Sequence, residues 1–280
     1  MDPLAKAAAL CATLAALSAA AERGSLPRAV SPQASETGGV DDALSSACPA
    51  GTLPDGNACV PVPEQAAGAE ELSAEQNTHR DRLGRWVVYE QIPRRPERPA
   101  DYRAYRYPVP LRDGQRFVSS GYDLHLPSAS QRRGAHLKAV GHGGIDISQA
   151  RGTEVRIVDL EHQVGDAEVV LSGELFGNSV VTRHAVREGG QLREYLVIYG
   201  HLDGQAPGLR AGMNLREGSL VGFVGDSGSP GDVHLHLEVR RVRDGVAVKG
   251  LAPRQLVHNA RTVVCDPRNV LPLLNATRTP

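Results

Sequence analysis

Apolar side chains recur along this chain in short bursts, not in long helical stripes. From Arg116 to Leu274, β-branched and aliphatic runs fall at Arg116–Ser119, Thr153–Val158, Glu168–Ser172, Ser179–Arg183, Leu196–Tyr199, Leu220–Val224, His234–Val242 and Gly245–Val248. Each is bounded by Gly, Asp, Asn or Pro, the residues that turn a chain, so each run predicts a short strand. No useful stretch of 3.6-residue periodicity interrupts them. The pattern predicts an all-β domain at 116–274, a compact antiparallel β-sandwich or barrel-like unit with few helices.

Upstream the patterning is different. Lys6 precedes an uninterrupted small-apolar run, Ala7 to Leu17, followed by Ser18-Ala19-Ala20-Ala21. That order of cation, apolar run and small residues predicts a secretory signal over 1–21 and an exported protein, periplasmic or secreted. The run is shorter than the roughly 20 apolar residues of a membrane span, so no integral membrane segment is expected after its removal. Residues 22–47, rich in Ser, Ala, Pro and Gly, read as a linker, and 275–280 as a tail. Between them, 48–115 holds a small loop bracketed by Cys48 and Cys59, then an extended N-terminal region rich in Pro, Arg and Tyr. In an oxidising compartment the turn-rich Cys48–Cys59 stretch reads as a local disulfide, the rival being half of a metal site. Cys11 would leave with the signal, and Cys265 reads as a small buried hydrophobe near the last strand.

Charge narrows the list of partners. A formal net charge of −1 lacks the basic excess of a polyanion binder. The one tract that interleaves Arg with Tyr, Ile92 to Pro110, resembles in composition a clamp for single-stranded nucleic acid. Its prolines instead favour an extended chain draped over a domain surface, and no nucleic acid is expected as partner. The oligomeric state is not readable.

Of ten histidines, three groups stand out. In Gly141-His142-Gly143-Gly144-Ile145-Asp146, a turn between His142 and Asp146 would let both converge on one ion. In His234-Leu235-His236, strand alternation puts both imidazoles on one face and Leu235 with Leu237 on the other. His201 follows the hydrophobic run Leu196–Tyr199. A catalytic zinc takes three ligands from His and Asp/Glu and keeps a fourth position for water; His-x3-Asp and His-x-His supply such a set with a histidine to spare. There is no His-Glu-x-x-His, no Gly-x-Ser-x-Gly elbow, no P-loop and no dinucleotide fingerprint.

These residues and their order resemble the M23 family of lysostaphin/LytM-type zinc metallopeptidases. The matching words are His142-Gly-Gly-Ile-Asp146, Tyr199-Gly-His201-Leu202 and His234-Leu-His236, flanked by Ser119-Ser-Gly-Tyr122, Gly177-Asn-Ser-Val-Val181, Val221 to Gly228, and Glu238-Val-Arg240. The resemblance implies a zinc metalloendopeptidase hydrolysing the peptide crosslinks of bacterial peptidoglycan through a metal-activated water, with peptidoglycan peptide stems as its substrate. It implies one zinc ion per chain on His142, Asp146 and His236, with His201 and His234 as catalytic histidines whose roles are not separated. Asn178 and Tyr122 would line the substrate groove. Val233 stands where many members have Pro, and the stretches Tyr122–Gly141 and Arg187–Arg193 read as longer loops rimming the groove. The alternatives are a non-catalytic cell-wall-binding or regulatory protein of the same fold, which need not hold zinc, and a sugar-phosphotransfer carrier, which needs no Asp ligand. The stretch from about Glu64 to Pro110 either lies across the groove as an inhibitory segment or packs on the barrel.

Overall fold

The computed structural model describes residues 48, 52–61, 69–80, 84–111, 117–124 and 141–274. The expected signal at 1–21, the linker, the tail and most of the Tyr122–Gly141 insert lie outside the described residues. The described chain is almost entirely β. In order it forms β1 (Thr52–Asp55), β2 (Ala58–Pro61), β3 (Glu75–Arg80), β4 (Trp86–Ile92), β5 (Val118–Ser120), β6 (Gly144–Ser148), β7 (Glu154–Arg156) and β8 (Ala167–Leu175). Then follow β9 (Gly177–Glu188), β10 (Gln191–Gly200), β11 (Leu202–Gln205), β12 (Asn214–Leu215), β13 (Leu220–Val224), β14 (His234–Val242) and β15 (Thr262–Cys265). The one α-helix among the described residues is a single turn, Pro253–Leu256. None of its helices is long and apolar enough to cross a membrane.

Ten strands make one open sheet along the path β12-β8-β9-β10-β14-β15-β4-β3, with β6 on β14 and β5 on β6. A three-stranded sheet, β11-β13-β7, lies beside it, and β1 with β2 forms a separate hairpin closed by the Cys48–Cys59 disulfide. The expected sandwich is therefore present, with neither sheet closed into a barrel. Pairing is antiparallel throughout except between β15 and β4, which run parallel. The period-2 pattern explains the layering. Ile145 and Ile147 of β6, Val197 and Tyr199 of β10, and Leu235, Leu237 and Val239 of β14 share one face and pack with Val155, Leu202, Val221 and Val224 of the small sheet. The opposite face carries a smaller apolar cluster, with Val181, Leu196, Ile198 and Val242, and also Asp146, His234 and His236.

Three local expectations change. Gly245–Val248 is not a strand: Gly245 takes φ +73° and the Val246 amide donates to Arg243 O, closing a turn that lays Val248 on the smaller cluster. Arg187–Arg193 is not a long loop at the groove rim. β9 and β10 run to a two-residue turn at Gly189 and Gly190, both with positive φ, at the far end of β10 from His201. Finally, the turn expected between His142 and Asp146 narrows to a bend at Gly143, after which Gly144 to Asp146 is strand and Asp146 takes its place by sheet register.

The Arg- and Tyr-rich tract is built into the fold. β4 pairs with β15, while Tyr105, Tyr107 and Val109 enter the main core. Arg98 is buried, donating to Glu161 at 2.5 Å and to the carbonyls of Arg268 and Leu271. These guanidinium and phenol groups make their contacts inside the fold.

One polar chain crosses the main core. The Tyr199 hydroxyl bonds Thr182, Thr182 Oγ1 lies 2.7 Å from His184 Nε2, and His184 Nδ1 lies 2.7 Å from Gln163 Oε1. Gln163 Oε1 also accepts from the Leu160 amide, so it is an acceptor and His184 donates to it through Nδ1. Burial pushes the His184 pKa down to about 3. The unfolded chain, with an ordinary histidine pKa near 6.5, takes up the proton first. Stability from this group is thus complete above about pH 6.5 and is lost as pH falls towards 3, at roughly 1 kcal/mol per pH unit. Urea unfolding at pH 7 and pH 5 is expected to show a smaller fall in midpoint for His184→Gln than for the unaltered chain.

Candidate metal centre

Strand pairing assembles the site. β14 lies between β6 and β10, with His236 opposite Asp146 on one side and Gly200 on the other. Because side chains on paired residues of one face stand about 5 Å apart, Asp146 and His236 meet. His236 Nδ1 is 2.9 Å from Asp146 Oδ1. His142, just before β6, brings Nε2 to 3.0 Å from the same oxygen and 3.3 Å from His236 Nδ1. The three donor atoms form a tight triangle from buried His142 and His236 and the part-buried Asp146. In a tetrahedral zinc site with bonds near 2.0–2.1 Å, donors stand about 3.3 Å apart. Two imidazole nitrogens and a carboxylate oxygen at these separations fit that ion in number, kind and spacing.

Two further histidines stand next to the triangle. His234, on the same face of β14, has Nε2 at 3.6 Å from Asp146 Oδ1. His201 lies between β10 and β11, its ring centroid 4.7 Å from that of His234 and 5.9 Å from that of His236. It carries φ +59°, a left-handed conformation uncommon for a residue with a Cβ. That kink lets the chain leave the large sheet at Gly200 and enter the small one at Leu202. Its amide donates to Phe176 O, and the Phe176 ring meets His236 edge-on at 5.1 Å.

Each of the four rings has one nitrogen facing an acceptor on its far side. His142 Nδ1 donates to Gly121 O at 2.8 Å, His201 Nδ1 to Ser227 O at 2.7 Å and His234 Nδ1 to Asp232 O at 2.8 Å. His236 differs: its Nε2 faces a side chain, Glu238 Oε2, at 3.4 Å. A nitrogen that donates backward leaves the other with its lone pair aimed into the cleft. One loop, 226–233, supplies two of these acceptors. It is held by Asp226, which accepts from the Gly231 amide and pairs with Arg151 at 2.5 Å. The Ser227 hydroxyl donates to Leu202 O and accepts from the Asn178 amide. Gly177 presses so closely here that a Cβ would lie 2.0 Å from Ser227 O.

The electrostatics of the metal-free site follow from this packing. Burial alone would raise the Asp146 pKa, but hydrogen bonds from His142 and His236 hold it well below the usual carboxylate range. Burial would likewise lower His236; the carboxylates of Asp146 and Glu238 on either side instead raise it to about 9. At His201 burial outweighs both the Ser227 carbonyl and the charge of Asp146, and takes the ring down to about 4. A ring between two carboxylates holds a proton where a cation would sit, so a metal ion and that proton compete for one place.

The sequence-derived candidates divide into groups. His142, Asp146, His236, His234 and His201 are together. Asn178 is exposed beside Ser227, on the wall behind His201. Tyr122 packs against the main core and donates its hydroxyl to Gln91 Oε1 at 3.0 Å, on β4. Sequence reasoning did not single out Ser227 or Phe176; the former acts through a backbone carbonyl, which no side-chain motif announces. Glu238 had a legible signal, since His-x-His-x-Glu on a strand places all three on one face.

Residues 140–249 match peptidase family M23. The DD-carboxypeptidase/endopeptidase Mpg of Neisseria meningitidis serogroup B is 35% identical over 103 residues, and that of Neisseria gonorrhoeae gives the same figures. The match takes in 35% of this chain but spans only 20% of the length of these curated relatives. Among solved structures, a zinc-containing peptidase from Vibrio cholerae is 21% identical, covering 59% of this chain and 43% of that one, with a TM-score of 0.34. The catalytic domain of the prophage-encoded M23 protein EnpA from Enterococcus faecalis is 24% identical over 57% of this chain and 95% of its own, TM-score 0.34. Lysostaphin from Staphylococcus simulans is 17% identical over 50% and 46%, TM-score 0.33. The segment that matches peptidase family M23, residues 140–249, encloses the whole histidine–aspartate cluster of His142, Asp146 and His236.

Proposed function

We propose that this protein is an exported zinc metalloendopeptidase that hydrolyses peptide crosslinks of bacterial peptidoglycan. The observation that carries the reading is the donor triangle of His142 Nε2, Asp146 Oδ1 and His236 Nδ1 with two unligated histidines at its edge. Peptidoglycan as substrate, and export to reach it, rest on the family and on the apolar leader-like run Ala7 to Leu17.

In this reading His142, Asp146 and His236 hold the ion. Zinc so bound supplies Lewis acidity and lowers the pKa of water towards neutrality. The rest is the work of the chain. His201 and His234 each donate backward through Nδ1, to Ser227 O and Asp232 O, and so present Nε2 as an acceptor to the cleft. One of the pair takes the proton of the attacking water and returns it to the leaving amine; the other stands beside the developing oxyanion, to which it can donate only as an imidazolium that has first taken a proton from solvent. Their rings stand 4.7 Å apart, so both reach one scissile peptide. Asn178, exposed on the adjoining wall, is the better placed of the two groove candidates to meet substrate. A regulatory, non-catalytic protein would have no need of both unligated histidines.

Two results are expected. Purified with equimolar zinc and then dialysed, the chain retains about one ion, whereas His142→Ala and His236→Ala retain almost none, since two remaining ligands hold zinc poorly. Full metal content in either variant refutes the ligand set. His234→Ala retains its zinc but releases crosslink fragments from purified peptidoglycan at least about 100-fold more slowly, measured by mass analysis with and without a chelator. Undiminished release removes His234 from the reaction.

A further inference from the structure

The four histidines differ in what stands behind them, and the difference has a cause in the fold. His142, His201 and His234 lie at or beyond strand ends, where loop carbonyls are free to accept. His236 lies inside β14, paired on both sides, so the neighbouring carbonyls are committed to the ladders with β6 and β10. An acceptor for its outer nitrogen has to come from a side chain on the same face of the strand. Glu238, two residues on, is that side chain.

Glu238 is not free to turn elsewhere. It is buried, and its other oxygen accepts from Arg240 Nη1 at 2.6 Å. Arg240, also buried, donates through Nε to Thr262 Oγ1 at 2.7 Å and through Nη2 to Asn259 Oδ1 at 3.1 Å. Thr262 Oγ1 donates in turn to Leu256 O, which ties the series to the helical turn at Pro253–Leu256. Gly143 leaves room for the carboxylate, a Cβ there falling 3.3 Å from Glu238 Oε2.

We propose that Glu238, braced by Arg240, is a positioning residue for the metal ion: it accepts the Nε2 proton of His236 and thereby fixes the ring with Nδ1 turned to Asp146 and His142. The inference rests on the metal-site reading above. Acceptors behind a ligating imidazole fix its tautomer and increase its basicity, and their removal typically costs about 10–100-fold in metal affinity. A buried Glu–Arg pair that served only to hold strands together would leave that affinity unchanged.

The test compares Glu238→Gln with Glu238→Met. Both remove the charge opposite Arg240, but only glutamine keeps an oxygen able to accept from His236. Zinc affinity is measured by competition with a chelator, and the His236 Nε2 proton is followed by NMR in the zinc-loaded protein. The expected outcome is a 10–100-fold loss for Glu238→Met with rapid exchange of that proton, and a smaller loss for Glu238→Gln with the proton retained. If Glu238→Met misfolds because Arg240 is left buried without its partner, the double replacement Glu238→Met/Arg240→Met removes both charges together and is expected to show the same loss. Wild-type affinity in a folded methionine variant, or equal losses in the glutamine and methionine variants, overturns the role of Glu238 alone. A wild-type chain that binds no zinc overturns this inference together with the metal-site reading.

Discussion

The register of β6 against β14 is the constraint on which the site depends. Placing Asp146 opposite His236 puts a carboxylate and an imidazole in contact although ninety residues separate them. A slip of one residue would send every side chain of the moving strand to the other face. It would take Asp146 into the main core and Ile145 or Ile147 into the cleft. That register is defended by apolar packing: Ile145, Ile147, Leu235 and Leu237 are all fully buried on the opposite face. The hydrophobic layer between the sheets therefore fixes the polar geometry on the other side of the same strands.

The second level of control is the direction of each proton. Four imidazoles in one cleft have many combinations of tautomer and charge, most of them useless for holding a cation. Acceptors behind the rings reduce these to one arrangement. Three of them are backbone carbonyls and therefore indifferent to side-chain identity, provided the loops that carry them keep their shape. The loop 226–233 does so through Asp226, Arg151 and the close approach of Gly177 to Ser227. Residues that never touch a ligand thus set what the touching residues can do.

Much of this could be read from the chain before folding. The alternation in Val233-His-Leu-His-Leu-Glu-Val239 gave the faces of β14 correctly, and the short β-branched runs identified five of the ten strands of the large sheet, β5, β8, β9, β10 and β14. The errors have a common origin. Gly189 and Gly190 were read as part of a loop because two positive-φ glycines in a tight hairpin look, in one dimension, like any polar glycine-rich stretch. Gly143 and Gly144 suggested a turn, whereas Gly144 is a strand residue without a side chain because Leu237 O and His236 crowd its Cβ position. Gly245–Val248 has the composition of a strand but no partner to pair with. Pairing partners and backbone acceptors are tertiary facts, and the parallel junction of β4 with β15 had no local signature at all.

The left-handed backbone at His201 has a consequence for how such a site would decay. The position serves both as an imidazole and as the bend by which the chain crosses from one sheet to the other. If its chemistry were no longer needed, the bend still would be. Glycine, asparagine or aspartate would be the replacements most compatible with the fold, since these types enter left-handed geometry at least cost. A descendant that had become a scaffold or an adaptor would then carry one of those three residues at the crossing, a trace of lost chemistry written in conformational preference.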